Sequence, residues 1–232
     1  MARPLHVLVV DDSAVVRQLM SKVLAAAGME VATAADPLIA IDKMKRARPD
    51  VLVLDLEMPR MDGLTFLRRI MAEDPLPVVI CSGHARRGTR AALAALGEGA
   101  LEIVTKPQLG LRDFLEESAV RLVDTVRAAA QARLPAPGRP RRPPHRPPAV
   151  GRTPTAPARG RAARPAVVAI GAFTGGPEAL RVLLSALPTD APPAVVVQHM
   201  PEGFTAAFAQ HLDEGCAIEV REATDGDPLL PG

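Results

Sequence analysis

The sequence predicts an α/β protein whose first part is a doubly wound five-stranded parallel sheet, followed by a partial second α/β domain of the same kind. Three observations carry this. Short apolar runs alternate with amphipathic stretches five times within residues 1–130. The runs LHVLVV (5–10), VLVL (51–54) and PVVIC (77–81) are apolar throughout, not at every second position, as strands covered on both faces are. After a Pro/Arg-rich interval the same alternation resumes from residue 167.

Residues 5–10 give the first strand. Ser13 caps a helix whose apolar positions include Val16, Leu19, Met20, Val23 and Leu24, and Gly28 ends it. Strand 31–34 leads to helix 38–46, strand 51–54 to helix 64–71, and strand 77–81 to helix 87–95. Strand 101–104 and a long helix over 111–130 complete the first domain, residues 1–130. Residues 131–165 hold ten prolines, nine arginines and no acid, and lack apolar periodicity. Such a segment cannot offset the entropy of ordering and is expected to be a disordered, semi-extended linker. In residues 166–232 the pattern predicts strands over 167–172, 194–200 and 217–221, with helices over 177–187 and 204–212 between them.

Composition excludes several classes. No stretch reaches the roughly 18–20 apolar residues of a membrane span, and LHVLVV is too short for an export signal. Two cysteines make no disulfide framework and no zinc-ligand spacing occurs, so a cytoplasmic protein is expected. The net charge of +2 is unevenly laid out. Residues 1–130 balance 17 basic against 17 acidic side chains, and residues 166–232 carry two Arg against nine acids. The basic excess belongs to the linker, which has no interleaved aromatics for base stacking and reads as a solvated spacer. Nucleic-acid binding is not expected: no helix-turn-helix pattern follows the linker, and the acidic C-terminal segment repels phosphate. A DNA-binding regulator is therefore the weakest of the alternatives.

Open parallel sheets collect their sites at the carboxyl ends of strands. Those ends carry Asp11 and Asp12, then Asp55, Ser82 and Lys106. Taken singly, DD after a strand is an ordinary helix N-cap region and Lys-Pro an ordinary turn. Together they are three carboxylates that repel one another unless a cation sits among them, and hard oxygen ligands suit Mg2+. A metal, a lysine, a hydroxyl and a nucleophilic carboxylate are the parts needed to accept a phosphoryl group. VLVVDDS, VLVLDLEMPRMDGL, VICSG and VTKP resemble the receiver domain of bacterial two-component response regulators over residues 5 to about 125. The resemblance implies a flavodoxin-like strand order 2-1-3-4-5 and phosphorylation of Asp55 by a histidine kinase. It implies Mg2+ held by Asp11, Asp12, Asp55 and the main-chain carbonyl of Glu57, with Ser82 and Lys106 on the phosphoryl oxygens. It also implies a cis Lys106–Pro107 bond. Ile103 stands where such domains usually carry an aromatic switch, three residues before the lysine.

GAFTGGPEALR, VVVQHMPEGFTAAFA and EATDGDPLLPG resemble the output domain of the chemotaxis protein-glutamate methylesterase (CheB) family, in which a receiver controls a serine esterase acting on methylated chemoreceptors. The resemblance places Phe173 at the nucleophile position and His199 at the general base, and puts the triad aspartate beyond residue 232. A phenyl ring has neither lone pair nor proton, and losing the serine of a triad costs on the order of a million-fold in rate. Thr174, one residue along, points elsewhere. The expectation is a phosphorelay response regulator of chemotaxis type, with a CheA-like kinase and methyl-accepting receptors as partners and an inactive, truncated esterase portion that is loosely folded or needs a partner. The alternative is a working methylesterase and glutamine deamidase.

Overall fold

The computed structural model describes residues 3–59, 61–83, 86–106, 112–134, 167–201 and 203–232. The expected linker lies almost wholly outside these residues, as does the Lys106–Pro107 bond. The order is β1 (His6–Val10), α1 (Ala14–Ala26), β2 (Glu30–Ala34), α2 (Pro37–Arg46), β3 (Val51–Asp55), α3 (Gly63–Glu73), β4 (Val78–Ser82), α4 (Arg86–Gly97), β5 (Glu102–Thr105) and α5 (Arg112–Ala129). Then follow β6 (Val168–Ala172), α6 (Gly176–Ser185), β7 (Ala194–Gln198) and α7 (Thr205–Asp213). The first five strands form one parallel sheet in the order β2-β1-β3-β4-β5, and β6 and β7 form a second, parallel pair.

Short polar side chains start the helices. Ser13 accepts from the Val16 amide. Asp36 accepts from Leu38 and Ile39, with Pro37 in the first turn, and Asp62 accepts from Leu64 and Thr65. β3 and β4 are buried along their whole length, whereas the edge strand β2, EVATA, is only partly covered. Alternation along the strands sorts the core into two layers. Val7, Val9, Val51, Val53, Val79, Cys81 and Val104 face Met20 and Leu24 of α1 and Leu122 and Val126 of α5. Leu8, Val10, Leu52, Leu54, Val78, Ile80 and Ile103 face the other way, onto α2, α3 and α4.

That second layer continues into the rest of the chain. Leu180 and Leu184 of α6, and Phe204, Phe208 and Leu212 on and beside α7, belong to the same apolar cluster as Leu93 and Leu96 of α4. The Gly175 amide donates to the Leu101 carbonyl at 3.1 Å, tying the loop before α6 to the start of β5. Where residues 166–232 were expected to be loosely folded or to need a partner, α6 and α7 bury their apolar faces on the first domain. Residues 217–221, expected to be a strand, are not one. Ile218 and Val220 pack against the cluster, and the Val220 amide donates to the Asp213 carboxylate at 2.7 Å, not to a neighbouring strand. The β6–β7 pair leaves Val168, Val195, Val196 and Val197 exposed.

One core residue is out of character. Glu102, on the edge strand β5, is 3 % exposed, and burial raises its carboxyl from 4.5 to about 7, against the opposing pull of the Ile103 amide and the Arg121 charge. A folded-state value above the unfolded one means the neutral form stabilises. That contribution is complete below pH 4.5 and is lost as pH rises to about 7. Glu102→Gln should therefore gain stability relative to the parent across that window, by up to about 3 kcal/mol, in chemical denaturation curves followed by circular dichroism. Parallel pH profiles for the two proteins would refute the assignment.

Candidate functional site

The strand register builds the site. Val10 pairs with Leu54, Asp55 with Cys81 and Ser82 with Thr105, so the carboxyl ends of β1, β3, β4 and β5 come level. Asp11 leaves β1, Asp55 ends β3, Ser82 ends β4, and Lys106 follows β5. Asp11, Asp12 and Asp55 each offer a carboxylate oxygen to a point where these atoms lie within 4.8 Å of one another. Lys106 reaches in from the far side, its Nζ 2.7 Å from Asp55 Oδ2 and 3.2 Å from Asp11 Oδ2. Asp11 and Asp55 are each 1 % exposed, whereas Asp12 faces solvent. Gly63 lets α3 begin tight against this point: a Cβ there would lie 2.7 Å from the Leu56 Cα and closer still to the Asp55 carbonyl.

The remaining ties are backbone ones. The Glu57 amide donates to Asp55 Oδ1 at 3.2 Å, and the Ser13 amide donates to Asp11 Oδ1 at 2.8 Å. Asp11 Oδ2 is buried and accepts no hydrogen bond of good geometry, although Lys106 stands beside it. The Ser82 hydroxyl, 2 % exposed, donates to its neighbour's Gly83 carbonyl at 3.3 Å. Burial raises the Asp55 carboxyl above its ordinary value even against the Lys106 hydrogen bond and charge, and Asp11 pushes the same way. For Lys106, burial works against the ammonium, but the bonds and charges of Asp55 and Asp11 outweigh it and its value rises. The pocket is therefore short of positive charge with one ammonium present. Three carboxylates sharing a single ammonium, two of them buried, fit a small divalent cation with oxygen ligands.

A second group lies at the carboxyl ends of β6 and β7. Phe173, about half exposed, stacks on the His199 imidazole with ring centroids 4.8 Å apart and planes inclined at 26°. Burial, with a smaller push from the Arg121 charge, lowers the imidazole below its ordinary value. Gly175 takes a left-handed φ of 79° before α6. The Gln198 amide donates to the Phe173 carbonyl at 3.2 Å and the His199 carbonyl at 3.0 Å, while the Thr174 hydroxyl is buried without a hydrogen-bond partner. The sequence puts Phe173 and His199 at neighbouring strand ends. The ring stack between them depends on how β6 and β7 pair, and Arg121 as the charge nearby from α5 on how that pair meets the first domain, so neither has a signal in the sequence. Among the described residues no helix is long and apolar enough to cross a membrane.

Residues 7–131 match the response regulator receiver domain family, and residues 168–232 match the CheB methylesterase family. The chain is 62 % identical over 228 residues to a protein-glutamate methylesterase/protein-glutamine glutaminase of Anaeromyxobacter dehalogenans, covering 98 % of this chain and 65 % of that protein. It is 48 % identical to one of Rhodospirillum rubrum, with 100 % and 67 % covered. The chain thus spans about two thirds of the length of these relatives. The receiver part resembles the crystal structure of the response regulator domain of Thermotoga maritima CheB, with a TM-score of 0.51 and 32 % identity over 57 % of this chain and all of that one.

Lys106→Met removes the one ammonium and leaves the carboxylates to repel. In thermal melts at neutral pH without divalent cations, the variant should be less stable by roughly 1–3 kcal/mol. Added Mg2+ should stabilise it more than it stabilises the parent protein. An equal response to Mg2+ in both would contradict this account of the site.

Proposed function

The chain belongs to the CheB family of response regulators, and from that premise we propose that it accepts a phosphoryl group on Asp55 from a histidine kinase. The observation that carries this is the Asp55 carboxylate, buried at a strand end, with Lys106 2.7 Å away and shared with the buried Asp11 carboxylate at 3.2 Å. An Asp55 oxygen attacks the phosphorus of a phosphohistidine, the P–N bond breaks, and the imidazole leaves with that electron pair. Lys106 turns from carboxylate to phosphoryl oxygen, and the Ser82 hydroxyl donates to another. Asp11, Asp12, Asp55 and the Glu57 carbonyl would hold Mg2+, which would neutralise charge on the transferring group. The division into a receiver at 1–130, a spacer at 131–165 and an esterase segment from 166 belongs to the same proposal. So do a chemotaxis kinase of CheA type and methylated chemoreceptors as partners, and a cytoplasmic setting.

Ester hydrolysis is not part of it. Phe173 supplies no nucleophile, and its ring lies against the imidazole that would act as base. The opposite reading draws on the curated relatives, whose names include methylesterase and glutaminase activity, and on His199 at the expected position. Methanol released from methylated receptor by the full chain would decide for it.

Acetyl phosphate with Mg2+ should label the parent protein, and Asp55→Asn should abolish the label. Labelling that persists in Asp55→Asn would overturn the assignment of the acceptor.

A further inference from the structure

We propose that Arg17 is a positioning residue for the acidic site, holding the turn that brings the Asp11 and Asp12 carboxylates to Asp55. Arg17 sits in the second turn of α1, its own amide bonded to the Ser13 carbonyl at 3.0 Å, so its backbone is anchored by the helix. From there its Nη1 donates to the main-chain carbonyl of Asp11 at 2.6 Å. That carbonyl and the Asp12 amide share one peptide plane, and rotating the plane swings the Asp12 side chain. Asp12 is exposed, and among the described residues no side chain grips it, so its aim depends on the backbone. The other ties on this turn lie elsewhere: the Asp11 amide donates to Ala34 at 3.2 Å, and the Ser13 amide donates to Asp11 Oδ1 at 2.8 Å. Neither holds the Asp11 carbonyl. Arg17 does, by a short charge-assisted bond from a rigid planar group.

Charge alone predicts the opposite behaviour, which makes the inference testable by sign. A guanidinium near a cation site repels the cation, so its removal acting through space tightens binding. Removal of a positioning bond loosens it. The inference rests on the reading of the acidic site given above, and the test separates the two. Mn2+ binding to the full chain is measured by electron paramagnetic resonance of the free ion, for the parent protein, Arg17→Met and Arg17→Lys, with circular dichroism melts alongside.

Arg17→Met should bind Mn2+ about three- to tenfold more weakly, the worth of one hydrogen bond. Arg17→Lys, which keeps the charge and a donor, should recover part of that loss. Affinity in Arg17→Met equal to or above the parent's overturns the inference, as does Arg17→Lys binding no better than Arg17→Met. If Arg17→Met does not fold, Arg17→Lys alone decides: weaker than the parent supports positioning, equal or tighter refutes it. A parent protein that binds no Mn2+ refutes the reading of the acidic site itself, and this inference with it.

Discussion

Asp11 and Asp55, each removed from water, share one ammonium, and the parallel sheet leaves them no other arrangement. Strands β1 and β3 are neighbours in register, so the residues at their carboxyl ends come side by side. Burial raises the energy of each carboxylate, and proximity raises it again. Lys106 offsets part of this from β5, yet the Asp55 carboxyl still sits above its ordinary value and one Asp11 oxygen lacks a hydrogen bond. A site left short of positive charge binds what completes it. The proposed divalent cation would supply that charge, and the proposed phosphoryl group would give Lys106 a new partner.

The two halves of the chain are joined by the core rather than by the linker alone. α4 is the shared element: Leu93 and Leu96 contribute to the apolar cluster that includes Ile80 and Ile103 on one side and α6 and α7 on the other. Ile103, where an aromatic side chain is usual in receivers, is fully buried in this cluster. A branched aliphatic side chain packed on all sides has no exposed alternative to swing toward. Arg121 of the receiver is close enough to the Phe173–His199 stack to act on the imidazole. The receiver thus packs against the second segment through α4 and contributes charge to the surroundings of the second group.

Much of this was legible in the residues. Unbroken apolar runs marked β1, β3 and β4, because strands buried on both faces tolerate little else. Ser13 marked a helix start, since its short side chain can satisfy an amide there. That Asp11, Asp55 and Lys106 come together was legible because residues at the carboxyl ends of neighbouring parallel strands gather at one edge. The segment 217–221 was not. Ala-Ile-Glu-Val-Arg alternates like a strand, but alternation says only that one side is buried, and here the burial is against the shared cluster without a pairing neighbour. Arg17 carried no signal either, since its partner is a main-chain carbonyl and any residue supplies one.

The sequence by itself determined the fold class, the strand ends that carry chemistry and the absence of a hydroxyl at residue 173, because periodicity and side-chain chemistry are local properties. Tertiary structure decided what those residues meet. It set the ammonium between two carboxylates, Arg17 on the Asp11 carbonyl, Glu102 inside an edge strand, and the second segment on α4. Apart from the Arg17 bond, which spans six residues, each brings together parts distant in the chain. Its energy depends on separation and burial, and neither quantity is defined until the sheet has closed around its core.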